Sequence, residues 1–432
     1  MQLVDIENTF LDQRTKGIPG GTPPLPLGDI GAKGWNVLRE DLTLPVAVLK
    51  ASALDNNGRW MRRFLELSGA VICPHGKTTM SPQLHARQLA DGAWGITVAT
   101  IAQLQVCRHF AVRRVLLANQ LVGRQAIRYV LEELRRDPAF DFYCLIDSVD
   151  GVRLLADAAR EQPPGRPVQL LLEGGVKGGR TGCRNLQTAL EVARAIHASR
   201  PHLALVGVEG FEGLIGGASA EERAARVHAF LDFLVEIAVA CEKEGLFTED
   251  RLILSAGGSA FYDLVVERFA RAGLKREVLV VTRSGCYLTH DSRMYEAAFE
   301  ELCRRTPEAR ELSPGLKPAL EIWAYVQSCP EVGRAILTMG RRDCSFDAGL
   351  PVPFLWFRPG HHTGPEPPGP GHEVTALNDQ HAFMDVPGTS PLRVGDMVAC
   401  GISHPCTTFD KWDVLFVVND AYDVVAAVRT FF

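Results

Sequence analysis

No stretch of this chain is apolar for long enough to cross a bilayer. The opening Met1-Gln2-Leu3-Val4-Asp5-Ile6-Glu7 lacks the basic and apolar regions of a signal peptide. No membrane partner and a cytoplasmic location are therefore expected. No charge of one sign dominates either: 46 Lys and Arg face 51 Asp and Glu, dispersed, for a net charge of −5. That leaves no basic footprint for a nucleic acid. The eleven cysteines form no framework spacing. Most sit in apolar runs such as Phe142-Tyr143-Cys144-Leu145-Ile146, as reduced buried thiols do. Glycine clusters occur, but none has Walker or dinucleotide-fingerprint spacing.

The length, 432 residues with 46% apolar content, suffices for two domains with full cores. Residues 1–44 are irregular, with the loop composition of Gly17-Ile18-Pro19-Gly20-Gly21-Thr22-Pro23-Pro24, and read as an N-terminal extension packing on the body. Pro45–Leu49 reads as a strand. Eight short apolar runs then alternate with amphipathic segments: 70–73, 95–98, 115–118, 142–146, 168–172, 205–208, 252–255 and 278–282. Such alternation argues for a parallel sheet. The stretch is close to the roughly 250 residues of an eight-fold barrel, with a doubly wound open sheet as the structural rival. After about Leu312 the pattern shifts to alternating strands, at 319–326, 334–339, 392–400 and 414–418. One Pro/Gly-rich excursion, 358–372, lies among them, and its histidines His361, His362 and His372 read as solvated, with metal binding the lesser alternative. The expected division is 1–44 extension, 45–312 barrel and 313–432 β-rich domain.

Three stretches carry chemistry. In the first, Pro74-His75-Gly76-Lys77, a lysine ends a buried run. A bare buried ammonium costs several kcal/mol, on the order seen in real proteins, so such a lysine is paired, solvated or neutral. One use of it is Schiff-base chemistry with a carbonyl cofactor; the alternative is a strand end reaching into solvent. His75, two residues earlier on a strand, would point the same way. In the second, Ser255-Ala256-Gly257-Gly258-Ser259 follows one strand and precedes a helix, where backbone N–H groups offer an anion site. Arg283-Ser284-Gly285-Cys286-Tyr287 follows the next strand and offers further donors. The third, Ser403-His404-Pro405-Cys406-Thr407, puts an imidazole and a thiol two residues apart, two soft donors suited to zinc on an extended segment.

Taken in order, His75-Gly76-Lys77-Thr78, Ser255–Ser259 and Ser403–Thr407 resemble the D-threonine aldolase and D-serine dehydratase family of pyridoxal-phosphate enzymes. The resemblance runs from about Pro45 to the end. It implies the alanine-racemase type of fold, a (β/α)8 barrel of TIM type followed by a C-terminal β-rich domain. It also implies pyridoxal 5'-phosphate carried by Lys77, with Lys77 freed as the base at Cα and His75 beside the ring. Arg180, before Thr181-Gly182, would lie near the cofactor's phenolic oxygen. Ser255, Gly257, Gly258, Ser259, Gly285 and Cys286 would hold its phosphate, with Tyr287 adding a hydroxyl. Arg283 would face the pyridine nitrogen. Phe211 stands where the family commonly has tyrosine. His404 and Cys406 would bind Zn2+ or another divalent metal, with Asp379 or His381 as a further ligand.

His-x-Cys leans toward the dehydratase branch, where a small β-hydroxy D-amino acid such as D-serine becomes a 2-oxo acid and ammonia. A D-threonine aldolase is the alternative, and a non-catalytic cofactor carrier is a reading of another class. A homodimer is expected from the family.

Overall fold

The computed structural model describes residues 1–432. After a two-residue pairing of Phe10–Leu11 with Leu25–Pro26, the first strand of the main sheets is Val46–Lys50 (β1). The eight apolar runs then become eight strands: Val71–Ile72 (β2), Ile96–Val98 (β3), Arg114–Gln120 (β4), Asp141–Ile146 (β5), Val168–Gly174 (β6), Leu203–Gly210 (β7), Arg251–Ala256 (β8) and Glu277–Thr282 (β9). They form one sheet in the order β2-β9-β8-β7-β6-β5-β4-β3, every pair parallel. The ring closes between β2 and β3 just past the end of β2. There Trp94 N–H donates to Ile72 O (2.8 Å), Thr97 N–H donates to Pro74 O (2.9 Å), and His75 bridges Thr97. The barrel of TIM type is thus present, and the doubly wound alternative is excluded.

Strands buried on both faces read as unbroken apolar runs, which is why they stand out in the sequence. Leu116, Tyr143, Leu145, Leu171, Ile253 and Val281 pack inside the ring. The helices pack outside. Four begin at side-chain caps: Thr100, Ser148, Asn185 and Ser219 each accept the N–H of the third residue on. No helix is long and apolar enough to cross a membrane.

The second sheet has nine strands. They are β1 together with Leu320–Glu331 (β10), Arg334–Leu337 (β11), Val352–Phe357 (β12), Glu373–Leu377 (β13), Ala382–Asp385 (β14), Met397–Gly401 (β15), Val414–Val418 (β16) and Val424–Arg429 (β17). Here the structure corrects the expected boundary at 45. β1 pairs antiparallel with β10 and parallel with β16, so it belongs to this sheet and not to the barrel. All of Val46–Leu49 is buried, so the run reads the same in either sheet. From the first 44 residues, Ile6, Leu11, Ile18, Leu25, Leu27 and Ile30 pack with Val46, Trp323 and Phe416 on one face of the second sheet. The histidines of the Pro/Gly-rich loop stay apart: His362 lies edge-on to Trp356, and His372 bonds Ser390.

Candidate active site

A cavity of about 590 Å3 opens at the carboxyl ends of the barrel strands, where parallel barrels carry their working groups. Its lining includes His75, Lys77, Gly257, Gly258, Ser259, Arg283, Gly285 and Cys286 from the barrel loops, and His404 and Cys406 from the second sheet. Ten of the thirteen site residues expected from sequence therefore meet in one place, although residues 75 and 406 are far apart in the chain.

Lys77 is the one lysine of this lining. It stands on a single 3-10 turn, Gly76–Thr78, and not on the strand, which ends at Ile72. The turn, and not strand alternation, aims both His75 and Lys77 into the cavity. Its geometry leaves no room at Gly76, where a Cβ would lie 2.8 Å from Ile96 and 2.9 Å from His85 Nε2. Burial, and next the Lys77 cation, hold the His75 imidazole well below its usual pKa and so neutral. Its Nδ1 is buried without a partner.

Beneath the cavity a polar layer closes the barrel. Register places Glu173 beside Glu209 and Glu209 beside Ser255. Glu173 accepts from Gln120 (2.5 Å) and from Thr181 (2.8 Å). Glu209 forms an ion pair with Arg283, which also donates to Gly210 O (2.9 Å). Burial raises the Glu209 carboxyl above the ordinary range against the pull of that cation. The side-chain oxygen Oγ of Ser255 and the Nε of Arg283 are buried and unpartnered.

The expected anion loop is partly corrected. Gly257 turns the chain at φ +100°, a conformation that suits glycine. However, the N–H groups of Gly257 and Gly258 both donate to the buried Glu212 carboxylate, at 2.9 and 2.7 Å. Those donors are thus already engaged by a side chain that the sequence reading did not single out. Ser259 Oγ accepts from Ser284 (3.0 Å) and from the Cys286 N–H (3.3 Å). Gly285 lets this loop meet the Lys77 turn: a Cβ there would lie 2.5 Å from Thr78 Oγ1 and 2.6 Å from His75 O.

Three expectations fall outside the cavity. Ser255 lies below it in the polar layer. Tyr287 is buried on the far side of its loop, beside a small void with Tyr262 and His290 and with its hydroxyl toward Gln88. Arg180 is exposed and stacks on Phe211, 4.5 Å from the ring. It lines a neighbouring cavity of about 650 Å3, and Phe211 is the wall between the two.

His404 and Cys406 do line the site, but not as an extended pair. Pro405 is helical, and Cys406 opens the one-turn helix Cys406–Phe409. Asp347 holds His404 Nδ1 at 2.6 Å and accepts from Thr407 at 2.7 Å. A carboxylate on Nδ1 fixes the ring and leaves Nε2 for the cavity, the arrangement common behind metal-ligating histidines. The hydrogen bond with Cys406, reinforced by Asp347, raises His404 to about 9. Cys406 is held well below the usual thiol value, first by the Cys286 thiol and then by His404. Its Sγ lies 3.5 Å from Thr78 Oγ1 and 3.9 Å from Cys286 Sγ. The donor set, an oriented imidazole and a thiolate, suits a metal, but no group of three or more His, Cys, Asp or Glu side chains comes together as a complete site. Asp379 pairs with Arg342, and His381 is exposed, so neither joins His404. Asp347 was missed because Phe346-Asp347-Ala348 carries no motif; only the fold brings it to His404. Tyr295, also in the lining, was missed for the same reason.

Residues 49–297 match the family model of the alanine racemase N-terminal domain, and residues 319–418 match that of a serine dehydratase domain. The chain is similar to a D-threonine aldolase from Arthrobacter sp., 25% identical over 385 residues, covering 87% of this chain and 89% of that protein. The solved D-threonine aldolase from Filomicrobium marinum superposes with a TM-score of 0.73 at 20% identity, covering 92% of this chain and 97% of that one. The D-threo-3-hydroxyaspartate dehydratase from Delftia sp. HT23 does so with a TM-score of 0.69 at 20% identity, covering 92% and 99%.

Proposed function

From the premise that this chain belongs to the alanine racemase N-terminal domain family, in its D-serine dehydratase and D-threonine aldolase branch, we propose that it is a pyridoxal-phosphate and zinc-dependent lyase that deaminates a small β-hydroxy D-amino acid, D-serine first, to a 2-oxo acid and ammonia. The observation that carries the reading is the single lysine of the cavity, Lys77, lining the same space as His404 and Cys406.

The unpartnered buried atoms of His75 and Arg283 and the donors around Ser259 fit a polar, anionic cofactor. Lys77 would hold it, and Ser259 with the Gly285–Cys286 loop would hold its phosphate. Bound there, the cofactor supplies an electron sink for the pair left when the α-proton departs. His404 Nε2 and Cys406 Sγ would hold the metal, which supplies Lewis acidity at the β-hydroxyl.

The chain's own residues do the rest. Lys77 Nζ takes the proton at Cα. Neutral His75 packs beside Lys77 without adding a second cation. Glu209 orients Arg283 beneath the cavity. Asp347 keeps His404 Nε2 turned inward. The Delftia dehydratase has been solved as a His-to-Ala variant and as a Cys-to-Ala variant in a metal-free form; the altered residues stand two apart, as His404 and Cys406 do here. That spacing supports the dehydratase outcome over D-threonine aldolase, in which the Cα–Cβ bond breaks to give glycine and an aldehyde.

The boundaries follow the same reading: a barrel that holds the cofactor, and a β-rich domain to about 432 that holds the metal and includes β1. We also place the protein in the cytoplasm as a homodimer. Product analysis of the purified protein with D-serine and D-threonine, with and without a strong chelator, tests the function. Ammonia and a 2-oxo acid, lost on chelation and restored by zinc, are expected. Glycine with an aldehyde moves the protein to the aldolase reading. No turnover and no stoichiometric zinc leaves the carrier.

A further inference from the structure

Cys286 and Cys406 meet in the wall of the cavity, 120 residues apart in the chain. One lies on the loop after β9, the other on the turn after β15. Their Sγ atoms are 3.9 Å apart, and Thr78 Oγ1 touches both, at 3.8 and 3.5 Å. All eleven cysteines are free thiols, and no other two have sulfurs in mutual contact. Most are sealed in the core. Cys406, in contrast, is partly exposed and lines a cavity that a small oxidant can enter. A disulfide needs sulfurs about 2.05 Å apart, so the two must close by roughly 2 Å.

We propose that Cys286 and Cys406 are a redox-sensitive pair that forms a reversible disulfide in the cavity wall. With a peroxide as oxidant the chemistry balances. The Cys406 sulfur attacks one peroxide oxygen, the O–O bond breaks, one water leaves, and Cys406 becomes a sulfenic acid. The Cys286 sulfur then attacks the Cys406 sulfur, the S–S bond forms, the S–O bond breaks, and a second water leaves. Two thiols have lost two electrons and two protons, and the peroxide has become two waters. A dithiol reverses the step by exchange. The bond would tie the barrel to the second sheet and take the Cys406 sulfur away from the cavity. Disulfides of intracellular proteins are mostly of this transient kind.

The pairing rests on the sulfur positions alone. Its effect on turnover rests on the function proposed above, so the two are read separately. Purified full-length protein, as isolated and after chelation, is treated with graded hydrogen peroxide. Remaining thiols are alkylated, and peptides are mapped by mass spectrometry without reduction. The expected product is a peptide linking Cys286 to Cys406, formed before any other cysteine is oxidised and removed by dithiothreitol. Chelated protein should form it faster, because a metal on Cys406 shields the sulfur. In the same samples turnover should fall at least tenfold and return to within twofold after dithiothreitol. Cys286→Ser, compared with its own untreated sample, should lose that reversibility and carry sulfinic or sulfonic acid at Cys406. The proposal is overturned if wild-type Cys406 goes to those acids with Cys286 still free, or if both thiols alkylate fully after peroxide. A linked peptide in a protein that turns over no β-hydroxy D-amino acid keeps the pair and removes the function.

Discussion

At the scale of single residues, Lys77 is the most exposed to test. Lys77→Ala should lower turnover by roughly 10²–10⁴-fold, the range of a positioned acid or base. It should also abolish borohydride-stable attachment of pyridoxal phosphate, read by intact mass, without lowering the melting temperature. Lys77→Ala with full turnover would remove the proposed mechanism.

His85 offers a pH test. It is fully buried, its Nε2 faces Gly76 O at 3.2 Å, and burial lowers it to about 4. The unfolded chain thus binds the proton more readily than the native one. Stability from neutral His85 is present above pH 6.5 and is lost as pH falls through about 4, a few kcal/mol in all. Urea unfolding between pH 7 and 4 should show that loss, and His85→Gln should flatten it. Because Gly76 O lies on the Lys77 turn, the turn should loosen in the same interval. Lys77 and His404-Pro405-Cys406 were legible because each pairs an unusual residue type with a short recognisable spacing. Glu212 and Asp347 were not, because a lone carboxylate gains meaning only from what the fold sets beside it. Tyr287 misled because, on an irregular loop, the direction of a side chain is not fixed by its neighbours.

At the scale of elements, the site depends on two loops that touch where one of them, at Gly285, has no side chain. Gly285→Ala puts a methyl against Thr78 Oγ1 and the His75 carbonyl. It should cost about 1–3 kcal/mol of stability, as overpacking does, and weaken cofactor retention. Gly216→Ala, which meets nothing within 4 Å, is the control; equal melting temperatures for the two variants would deny the close approach. Glu212→Ala leaves two buried amides without an acceptor and should cost about 1–3 kcal/mol. Glu212→Gln, which keeps one oxygen, should recover part of it, as read by denaturant titration.

The barrel strands were legible in the sequence because each is buried on both faces and bounded by amphipathic helices. The partner sheet of β1 was not, since four buried residues look alike in a barrel and in a mixed sheet. In the second sheet β15 begins at Met397, not near 392, because Val394 and Gly395 form a turn before it, closed by the Asp396 N–H on Arg393 O (3.1 Å).

At the scale of the whole molecule, the two bodies share one cavity, and each brings half of its chemistry. Separating them should leave no activity in either part. The fragment 313–432 should not fold alone, since it lacks β1 between β10 and β16. Circular dichroism of that fragment, with and without a peptide covering 45–51, checks this; a native-like sheet without the peptide would show β1 to be dispensable.

The place of β1 also sets a timetable for synthesis. Lys50 leaves the ribosome about 270 residues before Leu320, which at 5–20 residues per second is a wait of roughly 15–50 s. During that interval the barrel can close, but β1 hangs at its edge with unpaired amides, a strand waiting for a bed. A nascent chain halted before Leu320 carries that strand unhoused, and one halted before Val414 carries it paired on one edge alone, so slow translation of the last third would be read by chaperones, not by the active site.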